Sequence, residues 1–140
     1  MQTKHLVFTG KDVFSTAMRI RVTDLNYGNH LGNDRLLAFA HEARYRWLQS
    51  MQLGELDIGG CGIVVADAVI RFLAQGFAGD QIEIDIAIDN IGGSSFDLYY
   101  QMHKENGQTL ALIKTKIVAF DYNRQKPVLV PSTFKDFFDD

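Results

Sequence analysis

Apolar residues along this chain recur with two different periods, and the change of period marks out the elements. Leu36, Leu37, Ala40, Ala43, Trp47, Leu48 and Met51 fall at helical spacing, with Phe39 widening the stripe, and no other segment carries a long helical pattern. Asn33 is a good N-cap type, Asp34 would meet the positive end of the helix dipole, and Gly54 stands where a left-handed stop is expected. Everything else with a strong pattern alternates with a period of two. Thr16, Met18, Ile20 and Val22 oppose Arg19 and Arg21 in a strand over 13–22. A second strand over 63–73 turns Val64, Ala66, Ala68, Ile70 and Phe72 one way. Its other face mixes Ile63, Val65, Val69 and Leu73 with Asp67 and Arg71. Ile82, Ile84, Ile86 and Ile88 alternate with polar residues, the mark of a sheet with one dry face. Phe96, Leu98, Tyr100 and Met102 share a parity in the next strand. Glu105-Asn106-Gly107 supplies a hairpin signal, and a long return strand runs over 109–121. The segment between helix and second strand, GELDIGGCG, is expected to be a flexible connection. Pro127 and Pro131 should end regular pairing, with Phe134, Phe137 and Phe138 anchoring a short terminal turn.

About five strands joined largely by short turns pair antiparallel, and a dry sheet face beside one apolar helix implies a sheet wrapped around it. The expected class is α+β, in one domain over residues 1–140, without internal repeats or an interdomain linker. With 46% of its residues hydrophobic, a chain of 140 residues can bury a core of that kind. A net charge of −3, with Lys and Arg scattered among acids, disfavours nucleic acid as a partner. The single cysteine, Cys61, cannot form an internal disulfide, and there is no Cys/His spacing for a structural zinc. No signal-peptide core or membrane-length apolar run is present. A cytoplasmic protein without metal or cofactor is therefore expected, with no membrane association.

The run DLNYGNHLGN followed by Glu42-Ala43-Arg44 resembles the hotdog-fold acyl-CoA thioesterases of the hydroxybenzoyl-CoA thioesterase-like group, whose motif reads approximately DxDxxGHVNN before a helix containing EEAR. Asp24 falls on the first acid, His30 on the histidine, Leu31 on the valine and Asn33 on the final asparagine. VVADAVIRFLAQGFAGDQIEI, GGSSF and IVAFDYNRQKPVLVP also look like the family's later strands and turns, so the likeness spans nearly the whole chain. It implies a hotdog fold, an antiparallel sheet around one long central helix, and acyl-CoA thioester hydrolysis in a homodimer or homotetramer. The chain departs from the motif where it matters. The second acid, the family's usual catalytic carboxylate, is Asn26 here; Asn29 replaces the motif glycine, Gly32 its first asparagine, and Gly28 is an added glycine. Some acyl-ACP thioesterases of similar fold place asparagine and histidine in this loop, which keeps an Asn-and-His mechanism open. The alternative is a hotdog protein that binds acyl-CoA or a protein partner without hydrolysis. A dehydratase fits the loop less well.

Thioester hydrolysis needs a polarised carbonyl, a placed water or nucleophile, and a slot for the acyl chain. A helix N-terminus offers free N–H groups, so that of Asn33 or its neighbour could hold the oxyanion, an effect worth roughly 3 kcal/mol per donor. His30 offers an imidazole, the side-chain type most often used for general base work. Asp24 could orient it and Asn26 could position water or carbonyl. Each has a plain structural role as its competitor: backbone bonding at the helix entry for His30, turn chemistry for Asn26 and Asn29, loop fixing for Asp24. Glu42 is an outside candidate for the base and otherwise pairs with Arg46 at i+4. Asp67 could reach a partner subunit's loop. Gly28, Gly32, Ser94 and Ser95 are candidates for close approach to the substrate, and Arg71, Lys104, Lys114, Lys116 and Arg124 are CoA contacts by charge alone.

Overall fold

The computed structural model describes residues 6–139. Strand β1 (Lys11–Arg19) leads through a short 3-10 turn (Val22–Asp24) and a loop into helix α1 (Asn33–Ser50). Then come β2 (Gly62–Phe72), β3 (Gln81–Gly92), β4 (Ser95–Lys104) and β5 (Thr109–Asp121), followed by a two-residue strand β6 (Lys126–Pro127) and a terminal helix α2 (Ser132–Asp136). The strands form one antiparallel sheet in the order β1-β3-β4-β5-β2, with β6 paired to β5 beside this path. The period-two segments and the single helix thus take up the α+β arrangement expected of them.

The dry face is built as the alternation requires. Ile82, Ile84 and Ile86 have no exposed surface, and Phe96, Leu98, Tyr100 and Met102 from β4 lie beside them under α1. Ala40, Ala43, Trp47 and Leu48 are the helix's contribution to this core. Full burial of each large side chain stabilises the fold by about 1.5–3 kcal/mol, so the isoleucine row alone outweighs any surface ion pair. The α2 segment closes one end: Phe134 is fully buried, with its ring 6.2 Å from Trp47 and 5.1 Å from Phe96, and Phe138 lies 6.0 Å from Trp47. Phe137, expected to join them, is 58% exposed.

Several other expectations are corrected. Asn33 is the first helical residue, not the N-cap; Gly32 occupies the cap with extended backbone and no side-chain hydrogen bond. The helix stops before Gly54, and the left-handed residue there is Gln52, φ 60°. Leu37 is exposed, because it points off the core-facing arc that Leu36 and Ala40 define. β1 ends at Arg19, so Val22 falls in the 3-10 turn and is exposed while Ile20 is buried. In β2 a register shift between Val65 and Asp67 breaks the simple alternation.

The connection from α1 to β2 is tied down rather than loose. The Asp57 carboxylate accepts N–H bonds from Gly59 and Gly60, both 2.9 Å, and Ile58 is buried in the core. Glu55 receives the Arg44 Nε at 2.9 Å. Arg44 is itself buried, and its Nη1 donates to the Tyr100 hydroxyl at 3.1 Å, which in turn meets Thr115 Oγ1 at 2.9 Å. A buried guanidinium is tolerated only with partners of this kind, and here they link α1, the connecting loop, β4 and β5. Among the described residues no helix is long and apolar enough to cross a membrane.

Candidate active site

The loop between the 3-10 turn and α1 is a small closed unit. Asn26 N–H donates to the His30 carbonyl at 2.9 Å, Leu25 and Leu31 form an isolated antiparallel bridge, and Asn29 takes the left-handed conformation at φ 61°. Asparagine tolerates that region better than most residues, which explains it at this corner. Gly28 and Gly32 are not among the positive-φ glycines. The Asn26 side chain instead folds the loop, its Oδ1 accepting the Gly28 N–H at 2.9 Å while its Nδ2 stands 3.5 Å from His30 Nδ1.

Asp24 anchors the loop. Its side chain has no exposed surface; its Oδ2 accepts the Arg21 N–H at 2.9 Å, and its Oδ1 accepts Arg35 Nη2 at 3.1 Å. Burial pushes this carboxyl up, but the N–H and guanidinium of Arg21 together with Arg35 outweigh it and hold the group below the ordinary carboxylate range. The Asp24 carbonyl also accepts the Gly32 N–H at 3.1 Å. Both carboxylate oxygens are therefore committed to arginines, so Asp24 fixes the helix entry and does not orient His30.

Beside the loop lies a cleft of about 370 Å³, with His30, Leu31, Asn33 and Leu36 on one wall and Phe72, Leu73, Gly76 and Leu110 on the other. The Leu31 N–H donates to the Gly76 carbonyl at 2.6 Å and pins the loop to the β2–β3 connection. At the cleft the helix end is open. Arg35 N–H is satisfied by the Gly32 carbonyl at 3.0 Å, whereas the N–H groups of Asn33 and Asp34 find no acceptor among the described residues. A glycine cap has no side-chain oxygen to offer them, so the free donors and the helix dipole are left available to a bound anion or carbonyl.

Of the candidates, His30 and Asn33 line this cleft, Asn26, Gly28 and Gly32 belong to the loop that carries them, and the others lie elsewhere. Glu42 lies on a different groove of α1, lined also by Met18, Arg19 and Arg35, where it receives Arg46 Nε at 2.8 Å. Ser94 lies in the β3–β4 turn and Ser95 begins β4, at the opposite end of the sheet from the cleft. Asp67 is exposed on β2, an edge of the sheet, opposite Lys116. Of the basic residues, Lys104 pairs with Asp80 and Lys114 with Asp97. The sequence reading missed Phe72, Gly76 and Leu110 as cleft residues, and Arg21 and Arg35 as partners of Asp24. The only available signal was the abundance of glycine in QGFAGD, which carries no information about what the turn touches.

Comparison with known proteins bears on the fold and the family. A 1,4-dihydroxy-2-naphthoyl-CoA hydrolase of Thermosynechococcus vestitus is 29% identical over 102 residues, spanning 69% of this chain and 68% of that protein. A 1,4-dihydroxy-2-naphthoyl-CoA thioesterase structure from Synechocystis superposes with a TM-score of 0.79 at 22% identity, covering 87% of this chain and 92% of that one. A DHNA-CoA thioesterase structure from Staphylococcus aureus gives 0.78 at 14% identity over 88% and 84%. At these identities the two structures show the hotdog fold. Residues 20–138, which hold the loop, α1 and the sheet from β2 onward, match the model of the thioesterase-like superfamily, and the chain belongs to that superfamily.

Proposed function

We propose that the apolar cleft receives the acyl part of a coenzyme A thioester, with the scissile carbonyl at the N-terminus of α1 and His30 beside it. Superfamily membership makes the chain a thioester hydrolase, and the relative named as a naphthoyl-CoA hydrolase supports acyl-CoA as the substrate class. The observation that carries the site assignment is the helix end without a side-chain cap, where Asn33 lines an apolar cleft together with the His30 imidazole. Those donors would stabilise the oxyanion formed when water adds to the thioester carbon, at roughly 3 kcal/mol per donor.

His30 has a more specific role than general base. Because Asn26 Oδ1 is taken by Gly28 N–H, the amide turns its NH2 toward His30 Nδ1. A donor facing Nδ1 favours the tautomer protonated at Nε2. The ring then donates a hydrogen bond from Nε2, keeping its proton, to the carbonyl oxygen or to the sulfur, which leaves as a thiolate as the C–S bond breaks. Activation of water falls to a group outside the loop, and the exposed carboxylate of Asp67 on a second chain is the candidate. Val65, Phe72 and Leu73 are exposed along or just beyond β2, and an unpaired edge with apolar side chains fits a second copy placed against it.

Asn26 itself favours one competing reading, a hotdog protein that holds acyl-CoA without cleaving it, since an amide cannot act as a base. Thiol release measured across short, long and aromatic acyl-CoAs, with binding followed in parallel, separates the two. Turnover is expected for at least one acyl class. Saturable binding of all of them with no thiol release would overturn hydrolysis.

A further inference from the structure

We propose that the outer face of the sheet carries a divalent transition-metal site formed by Glu83, Asp85 and His103. Glu83 and Asp85 are two residues apart on β3, so both project from the face opposite Ile82, Ile84 and Ile86 and away from α1 and the cleft. Strand pairing sets their neighbours. Glu83 is directly across from His103 on β4, and Asp85 is directly across from Ser15 on β1. Directly opposed residues have their Cβ atoms roughly 5 Å apart, and the backbone ladders fix that spacing whether or not a ligand is present.

The side chains converge accordingly. One ligand atom from each of the three residues lies within 4.8 Å of the other two. His103 Nε2 is 3.1 Å from Asp85 Oδ2, and Ser15 Oγ donates to Asp85 Oδ1 at 2.8 Å and, more weakly, to Glu83 Oε1 at 3.5 Å. Bonds of about 2.0–2.1 Å to a tetrahedral ion put ligand atoms about 3.3 Å apart. The present separations, 3.1 Å between His103 and Asp85 and at most 4.8 Å within the trio, stand close to that spacing.

Charge points the same way. Two carboxylates stand side by side on one strand, and among the described residues neither pairs with a lysine or arginine; the imidazole on Asp85 is their one basic neighbour. A bound cation would take the place of the N–H shared between His103 and Asp85, with Nε2 as a lone-pair donor and the Ser15 hydroxyl still orienting the aspartate. One imidazole nitrogen with two carboxylates suits zinc, cobalt or manganese better than magnesium or calcium, which prefer oxygen throughout. His103 and Asp85 are 23% and 33% exposed, leaving room for water to complete the coordination. Such an ion would clip β3 to β4 from outside, stabilising the sheet without entering the hydrolytic site.

The test uses the full chain, free of any affinity tag and stripped with chelator, titrated with Zn²⁺ against a chromophoric competitor and with Co²⁺ by visible absorption. One ion per chain at micromolar affinity is expected, with a rise in Tm on adding zinc. Glu83→Gln and His103→Gln should each weaken zinc binding at least tenfold while their Tm in chelator shows the fold intact. Absence of saturable one-to-one binding in the wild type, or wild-type affinity in either folded variant, would overturn the site.

Discussion

The Asn26 amide faces His30 Nδ1 at 3.5 Å while its oxygen is held by the Gly28 N–H at 2.9 Å, so one side chain both shapes the loop and turns its NH2 toward the imidazole. If Nε2–H is the working atom, His30→Ala should lower kcat by about 10²-fold or more and leave acyl-CoA affinity in place. His30→Gln, which can donate but cannot serve as a base, should retain more of the rate than the alanine variant. Equal loss in both would return the histidine to a base role.

Placing a carboxylate at position 26 tests the same pair from the other side. In Asn26→Asp the group facing Nδ1 becomes an acceptor, which calls the proton to Nδ1 and turns Nε2 into a lone-pair donor. A modest decrease in kcat is expected for a site built around the amide. An increase would mean that the wild-type loop is a weakened form of the carboxylate mechanism. Acyl-CoA binding should be measured alongside, since the new charge also acts on the substrate.

Gly32 caps α1 with an ordinary φ of −69°, so a side chain there meets no backbone strain. A Cβ would lie 2.8 Å from Asp34 Oδ1, displacing a movable carboxylate at the mouth of the free N–H groups. Gly32→Val should therefore weaken acyl-CoA binding more than it lowers Tm. Calorimetry showing a large fall in Tm with unchanged affinity in the folded fraction would assign this glycine to folding alone.

Asp24→Asn should destabilise the protein by about 1–3 kcal/mol at neutral pH, the usual worth of hydrogen bonds to a buried charge. Because the native carboxyl is held below its ordinary range, its contribution is fully present above the unfolded pKa of about 3.9 and is lost as pH falls through the lower folded value. The stability gap between wild type and variant should accordingly be constant from pH 5 to 8, an interval chosen to lie above that unfolded pKa, and narrow below pH 4. Denaturant midpoints across this series supply the check. A gap independent of pH down to the acid transition would contradict the assignment.

The exposed β2 edge predicts a dimer in solution, with Asp67 of one chain near the loop of the other. Sedimentation at micromolar concentration should show at least two chains. Val65→Lys, on a residue 46% exposed, should shift the population toward monomer without lowering helix or strand content. A wild-type monomer under these conditions would remove both the interface and the role given to Asp67.

The periodicities alone determined most of the architecture. β5 occupies the 109–121 span that alternation marks, Ile82, Ile84, Ile86 and Ile88 are all buried, and the Glu105-Asn106-Gly107 hairpin turns through a left-handed Gly107 at φ 87°. These features are local, since each depends on side chains a few residues apart sharing a face. The chemical residues of the loop were legible as well, because their order along the chain survives in the resemblance that Asp24, His30, Asn33 and Glu42-Ala43-Arg44 carry. What each of them touches was not. Only the tertiary structure gave Asp24 to Arg21 and Arg35, set Glu42 on a different groove from the cleft, and brought Phe72, Gly76 and Leu110 to face His30. The same holds for Glu83, Asp85 and His103, separated by up to 20 positions in sequence and within 4.8 Å in space. The physical reason is common to all of these. Strand register and the docking of one loop on another are fixed by the packing of the whole core, and even where partners are near in sequence, as Arg21 and Asp24 are at i,i+3, the local pattern does not say which neighbour a side chain meets.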